Sequence, residues 1–208
     1  MATEQVADAR SARARRFRGS RWRTVDIVVA SVIAVAGGVV FWAWDQLWNT
    51  TSIAFAAFPP AHAVMYGVWL APGVLGALII RKPGAALYTE LVASIVEALL
   101  GSSWGLSVIA YGVAQGLAPE LVFAVFAYRL WRLPVSVAAG AAAGVAAAVL
   151  DLVYYYGAWH AGWKVSYVAL VMASSAVVAG FGGAMLVRAL ARTGVLQPFP
   201  SGRRAPVA

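Results

Sequence analysis

The chain contains no cysteine. Disulfide bonds, thiolate catalysis and metal sites built on cysteine are therefore excluded. Charge is also scarce, because Asp, Glu, Lys and Arg make up 12% of the residues, whereas soluble domains carry about 25%. Hydrophobic residues reach 62% and the mean hydropathy is +0.77. This balance argues against a soluble domain and indicates a chain that lies in lipid.

The apolar residues fall into successive segments, each long enough to cross the ~30 Å hydrocarbon core at about 1.5 Å per residue. They lie at about 24–47, 60–80, 84–100, 107–128, 134–157 and 165–187. Only helices and closed barrels satisfy the backbone in lipid, and the Ala/Val/Leu runs lack the alternation of a barrel. We therefore predict an all-α membrane protein, a bundle of six transmembrane helices within 24–192. An Arg-rich flexible tail is predicted over 1–23 and a second flexible tail over 193–208.

The Lys and Arg residues predict the orientation in the membrane. The net charge is +8, and the basic residues precede the first segment, join segments 2 and 3 or 4 and 5, or follow the last. The connections on the other side of the membrane contain no Lys or Arg except Lys164. The positive-inside rule then predicts that both termini lie in the cytoplasm. The expected location of this multi-pass protein is the cell membrane. A polyanion-binding arm or a signal peptide would also explain the cluster at 10–23, but further apolar spans follow it.

Polar groups inside the apolar segments are the candidate functional residues. A charge at mid-bilayer costs about 2.5–3.5 kcal/mol, so such residues face the bundle interior or a wet cavity. Counted from the inner turns, Glu97, Gln115, Asp151 and Ser174 lie at a common depth of about 20–25 Å. This shared layer predicts a ligand-binding site.

A second layer, about 13 Å deep, contains the secondary intramembrane carboxylates Glu90 and Glu120. A structural pair, or hydrogen bonds to Tyr and Ser neighbours, is the alternative explanation for these two groups.

Aromatic residues crowd the ends of the segments above the first layer. An interfacial belt accounts for some of them, but a belt should appear at both faces, and the inner face has few. The excess predicts a ligand site. The candidate ligand-binding residues among these rings and the neighbouring loop are Trp104, Tyr154, Trp159 and His160, which would form a lid if the ligand is the one that the family resemblance below implies.

Ala30, Ala34 and Gly38 form a row of small residues on the first segment. Such a row lets helices approach closely in lipid. It predicts either a docking face for another membrane subunit or ordinary packing within the bundle.

Enzyme chemistry is not expected. The run Gly-Ser-Ser-Trp-Gly at 101–105 matches Gly-x-Ser-x-Gly, but a nucleophile elbow needs a preceding strand and a partnered histidine. His62 and His160 are too few and too far apart to indicate a metal site, and no cofactor is expected.

Two stretches carry a family resemblance. One is Arg-Lys-Pro-Gly-Ala-Ala-Leu at 81–87, followed by Glu90 and by Val-Glu-Ala-Leu-Leu-Gly at 96–101. The other is Gly-Val-Ala-Gln-Gly-Leu at 112–117, followed by Glu120 and Phe123. Both resemble the YkoE-type substrate-binding subunits, which are S components of energy-coupling factor (ECF) importers for thiamine and its hydroxymethylpyrimidine (HMP) precursor.

The resemblance implies six helices, inward termini and a ligand pocket near the outer face. It also implies two partners, a membrane coupling subunit that contacts Ala30 and Ala34, and a cytoplasmic ATPase. With thiamine or HMP as ligand, we expect Glu97 to bind the positive charge or the amino group, and Gln115 to bind the pyrimidine. Two other functions stay open: a stand-alone proton-coupled carrier using the four intramembrane acids, and a non-transporting scaffold.

Overall fold

The computed structural model describes residues 21–202, which form helices and no strand. The α-helices are α1 (Thr24–Thr51), α2 (Ala71–Ile80), α3 (Ala85–Leu99), α4 (Ser107–Val125), α5 (Leu133–Tyr154), α6 (Ala161–Ser175) and α7 (Gly183–Thr193). Three segments have other helical windings: the 3₁₀ helices Ser52–Phe55 and Pro59–Leu70, and the π-helix Ala176–Gly182. The Pro59–Leu70 helix runs directly into α2, and the π-helix joins α6 to α7.

Five helical segments of the described chain are long and apolar enough to cross a membrane. They are Thr24–Phe55, Pro59–Ile80, Ser107–Val125, Leu133–Tyr154 and Ala161–Thr193. The predicted all-helical membrane class is therefore confirmed. The remaining predicted span corresponds to α3, whose 15 residues cover only about 22 Å. The count of six spans therefore stays a prediction.

Helix α3 lies between α1 and α4, and also contacts α2. Small residues bring these helices close to its backbone, since a Cβ atom on Gly38 of α1 would lie 2.5 Å from the carbonyl oxygen of Ala93. Its buried face includes Glu90, Ser94 and Glu97, which follow the i, i+4, i+7 spacing of one helical stripe. The packing thus orients the polar stripe of α3 towards the interior of the bundle.

A second close approach joins α5 to the π-helix. A Cβ atom on Gly140 would lie 2.5 Å from the carbonyl oxygen of Ser175 and 2.7 Å from the amide nitrogen of Gly180. Both neighbours are backbone atoms, which cannot move aside as a flexible side chain would. This close crossing is therefore possible only because Gly140 has no side chain.

Gly140→Ala is expected to destabilise the protein by about 1–3 kcal/mol, because overpacking a tight contact forces backbone shifts. The thermal unfolding midpoint in detergent measures the loss. Gly182→Ala is the matched control, since its added Cβ atom would meet only the Val177 carbonyl oxygen, at 3.4 Å. Equal midpoints for the two variants would show that the crossing tolerates a methyl group.

A buried ion pair lies at the end of the bundle where α1 begins. Asp26 is completely buried, and its Oδ2 accepts a hydrogen bond from Lys82 Nζ at 2.5 Å. Arg23 donates to the same carboxylate from its backbone N at 2.7 Å and from Nη2 at 2.8 Å. Lys82 also donates to the carbonyl oxygen of Arg21 at 2.7 Å. This cluster, which we call the inner cluster after the predicted orientation, fixes the start of α1 to the turn between α2 and α3.

The segment after α7 packs against the same end of the bundle. Leu196 and Phe199 are buried, and Ser201 Oγ donates to the Ile79 carbonyl oxygen at 2.9 Å. Arg23 Nη2 donates to the Pro198 carbonyl oxygen at 3.1 Å. The predicted domain boundaries stay a prediction, and residues 1–20 and 203–208 of the two predicted tails lie outside the described residues.

Candidate functional site

A cavity of about 240 Å³ opens at the end of the bundle opposite the inner cluster. A buried water needs only about 10–15 Å³ on this measure, so the cavity has room for a small organic molecule. Within residues 21–202, no Lys, Arg or His lines it. Its walls are formed by Phe41, Trp48, Tyr66, Trp69, Ser94, Glu97, Trp104, Val108, Tyr111, Gln115, Asp151, Tyr155, Tyr156 and Tyr167.

One acidic cluster lies where α1, α3 and the following loop meet. Ser102 Oγ lies 2.9 Å from Glu97 Oε1 and 2.9 Å from Asp45 Oδ2. Trp69 Nε1 donates to the other oxygen of Asp45 at 3.1 Å. Glu97 lines the cavity, whereas Asp45 lies behind it and is completely buried.

The second acidic group faces the cavity from α5. Asp151 accepts a hydrogen bond on each carboxylate oxygen, from Tyr111 and from Tyr167, both at 2.7 Å. Two hydroxyl donors satisfy an ionised carboxylate in a buried position. Asp151 is therefore a second acidic side chain facing the cavity, held by hydroxyl groups from α4 and α6.

Aromatic rings form the wall between the two acidic groups. The ring centroids of Trp48 and Trp69 are 5.1 Å apart, and those of Trp69 and Trp104 are 5.7 Å apart, both in edge-to-face contact. His62 stacks on Trp48 with centroids 3.6 Å apart. It therefore supports the wall from behind.

The structure brings four of the predicted ligand-binding residues together. Glu97, Gln115, Asp151 and Trp104 all line the cavity. The depth count from the sequence likewise assigned Glu97, Gln115 and Asp151 to one level of α3, α4 and α5. Ligand contact by these residues stays a prediction.

The other four predicted residues lie outside the cavity lining. Tyr154 is 61% exposed, and its neighbours Tyr155 and Tyr156 line the cavity in its place. Trp159 stacks on the outer side of this wall, with its ring centroid 4.0 Å from that of Tyr156. Burial raises the pKa of Tyr156 to about 12, so it faces the cavity as a neutral hydroxyl at physiological pH.

The last two of these residues have local roles in the structure. His160 precedes α6, and its Nδ1 accepts a hydrogen bond from the Trp163 amide at 3.4 Å. Ser174 joins α6 to the Pro59–Leu70 helix, because its hydroxyl donates to the Val64 carbonyl oxygen at 2.7 Å and accepts from the Gly67 amide at 3.0 Å. Their assignment to the ligand remains untested.

Glu90 lies two turns before Glu97 on α3 and does not line the cavity. Its Oε2 accepts a hydrogen bond from the Gly73 amide at 2.7 Å. Within the described residues, its Oε1 is buried without a hydrogen-bond partner. Glu90 thus holds the start of α2 against α3.

Glu120 caps the start of α3. It accepts hydrogen bonds from the amides of Gly84 and Ala86, at 2.6 and 2.9 Å, and from the Tyr128 hydroxyl at 2.7 Å. A carboxylate is favoured at a helix N-terminus, where unpaired amides point at it. Burial, together with the hydrogen bond to Glu120, raises the pKa of Tyr128, so its hydroxyl remains a donor.

Ala30 and Ala34 are completely buried. This is the packing within the bundle that a row of small residues also predicts. The lipid-facing side of α1 instead exposes Val28, Val32 and Val35. A contact of Ala30 and Ala34 with a coupling subunit stays a prediction.

Several residues of the site were absent from the sequence prediction. Asp45 follows Trp42-Ala43-Trp44 in an apolar segment, so the rule applied to the other intramembrane acids would have found it. Tyr111 lies one helical turn before Gln115 on α4, which also pointed to the same face. Nothing in the sequence distinguishes Tyr66 or Tyr167 from other interfacial aromatics.

Comparison with known proteins gives concordant matches. A family model described as the permease component of an ABC-type cobalt transport system matches residues 25–146. YkoE of Bacillus subtilis (strain 168), described as an HMP/thiamine permease protein, is 37% identical over 183 residues, covering 88% of this chain and 91% of that protein. A crystal structure of an S-component of an ECF transporter is 36% identical, covers 88% of this chain and 92% of that one, and superposes with a TM-score of 0.83.

Proposed function

Since this chain belongs to the YkoE family of ECF transporter S components, we propose that it captures thiamine or HMP for an ATP-driven importer. It is a multi-pass integral membrane protein. Its relatives are transporter components rather than enzymes. The resemblance found in the sequence is thereby confirmed.

The chemistry of the cavity supports the ligand class. Glu97 and Asp151 face it, aromatic rings form the wall between them, and among the described residues no basic side chain competes with a cation. Thiamine carries a permanently charged thiazolium and an aminopyrimidine ring. A carboxylate in a low-dielectric pocket attracts the charge strongly, and each aromatic face adds about 0.5–2 kcal/mol of cation–π attraction.

The uncharged part of the ligand also finds partners in the cavity. Gln115 has both a donor and an acceptor for the edge of the pyrimidine. The rings of Trp69 and Trp104 offer flat faces for stacking. HMP, which contains only the pyrimidine ring, would use this part of the site alone.

The proposed topology has α3 as a sixth span and both termini in the cytoplasm. The exposed Arg21, Arg129, Arg132, Arg188 and Arg192 lie at segment ends on the side of the inner cluster. This is the side that the positive-inside rule assigns to the cytoplasm. The cavity would then open outward, where the vitamin is captured.

The proposed partners are a membrane coupling subunit and a cytoplasmic ATPase. An S component binds solute, and its transport would then depend on these subunits. Vitamin uptake by cells should therefore require the ATPase and persist for a short time in the presence of proton uncouplers.

Purified protein in detergent is expected to bind thiamine and to unfold at a higher temperature in its presence. At a ligand concentration of about 100 Kd, binding stabilises the folded state by about 2.7 kcal/mol. HMP should also bind, whereas anionic vitamins such as biotin should give no shift, because two carboxylates face the cavity. Absence of a shift with both thiamine and HMP would overturn the proposed ligand class.

The competing function is a proton-coupled carrier in which the intramembrane acids form a relay. The observation that favours it is the buried Oε1 of Glu90, for which residues 21–202 provide no hydrogen-bond partner. Glu120, however, is occupied by two backbone amides and a tyrosine hydroxyl. Uptake that needs a proton gradient and no ATPase would establish the carrier.

A further inference from the structure

The acidic cluster of Asp45, Glu97 and Ser102 has too few protons for its hydrogen bonds if both carboxyl groups are ionised. Ser102 Oγ contacts Glu97 Oε1 and Asp45 Oδ2, both at 2.9 Å. A serine hydroxyl has a single proton to donate, and an ionised carboxylate can only accept. One of the two contacts must therefore be donated by a carboxyl group, which means that one carboxyl carries a proton.

The surroundings of the cluster also favour a shared proton. Asp45 is completely buried and Glu97 is 4% exposed. Two carboxylates that share a buried site cannot both ionise without a compensating cation. Among the described residues, the other titratable groups that line the cavity with Glu97 are Tyr66, Tyr111, Asp151, Tyr155, Tyr156 and Tyr167, and none is basic. His62, on the same 3₁₀ helix as Tyr66, lies outside the lining and stacks on Trp48.

We propose that Asp45 is a further residue of the binding site, which shares one proton with Glu97 through Ser102 and releases it when a cationic ligand binds. In the free protein the cluster carries one negative charge. When a thiazolium binds beside Glu97, the proton leaves to the buffer and the second carboxylate balances the positive charge. This step rests on the proposed function, because thiamine is the cationic ligand.

The direction of the pH dependence follows from this exchange. The free protein holds one proton more than the complex, so raising the pH favours the complex. Thiamine affinity is expected to rise about tenfold per pH unit while the free cluster retains its proton. HMP carries no permanent charge, so its binding should release no proton from the cluster.

Calorimetry of thiamine binding at one pH, in two buffers with different ionisation enthalpies, counts the released protons. We expect about one proton for the natural protein and none for Asp45→Asn. The asparagine keeps an acceptor for Trp69 and a donor for Ser102 but cannot release a proton. HMP is the matched uncharged probe in the same experiment.

Infrared spectroscopy of the unliganded protein provides a test that needs no ligand. A protonated carboxyl gives its own carbonyl band, which should weaken in Asp45→Asn and disappear from the natural protein when thiamine is added. Thiamine binding without proton release would overturn this inference and leave the proposed function intact. If neither thiamine nor HMP binds, the proposed function fails. If the infrared spectrum of the unliganded protein has no carboxyl band that weakens in Asp45→Asn, the shared proton is overturned as well.

Discussion

Glu97→Gln is expected to weaken thiamine binding at least tenfold. The substitution keeps the size of the side chain and its contact with Ser102, but it removes the negative charge that faces the cavity. Loss of a charge pair in a desolvated site typically costs more than 1.4 kcal/mol, which corresponds to a factor of ten in Kd. Isothermal titration of the purified variant with thiamine measures the change.

Glu90→Gln is the matched control for this experiment. It is the same substitution on the same helix, two turns away, at a buried position that does not line the cavity. Its amide oxygen still accepts from the Gly73 amide. If both variants bind thiamine as well as the natural protein, Glu97 is not a ligand-binding residue.

Asp26→Ala is expected to cause the largest loss of stability, about 3–5 kcal/mol, because it leaves Lys82 buried without a counter-ion. Lys82→Met should be milder, since Arg23 still pairs with the Asp26 carboxylate. Unfolding of the detergent-solubilised protein, followed by thermal or chemical denaturation, gives both values.

The double variant Asp26→Ala/Lys82→Met separates the ion pair from its surroundings. Removing both charges abolishes the unpaired lysine, so the double variant should be more stable than Asp26→Ala alone. Equal instability of the two would mean that the carboxylate acts mainly by accepting from the Arg23 amide at the start of α1.

The lengths of the apolar segments predicted most of the fold. The six apolar segments correspond in order to the helical segments of the structure, because lipid leaves the backbone no other arrangement. The winding of each segment was not predictable. The 3₁₀ and π stretches depend on tertiary contacts, and Pro59 and Pro60 alone do not specify a 12-residue 3₁₀ helix.

The site was predicted best where residues lie on regular helices. The depth of Glu97, Gln115 and Asp151 follows from a constant rise per residue, counted from a charged turn. The loops at the cavity end of the bundle offer no constant rise to count along, so the sequence did not show that Tyr155 and Tyr156, rather than Tyr154, line the cavity. Asp45 was missed although the same physical rule applied to it.

The winding of the Pro59–Leu70 segment decides which way its side chains point. With three residues per turn, residues three apart stand in a straight row, whereas in an α-helix the row would rotate by about 60° at every step. Pro60, Ala63, Tyr66 and Trp69 follow this spacing and are all buried, with the last two rings 5.4 Å apart. Rewinding this segment as an α-helix would turn one of the two rings away from the other, so the shape of the cavity depends on backbone pitch as much as on side-chain identity.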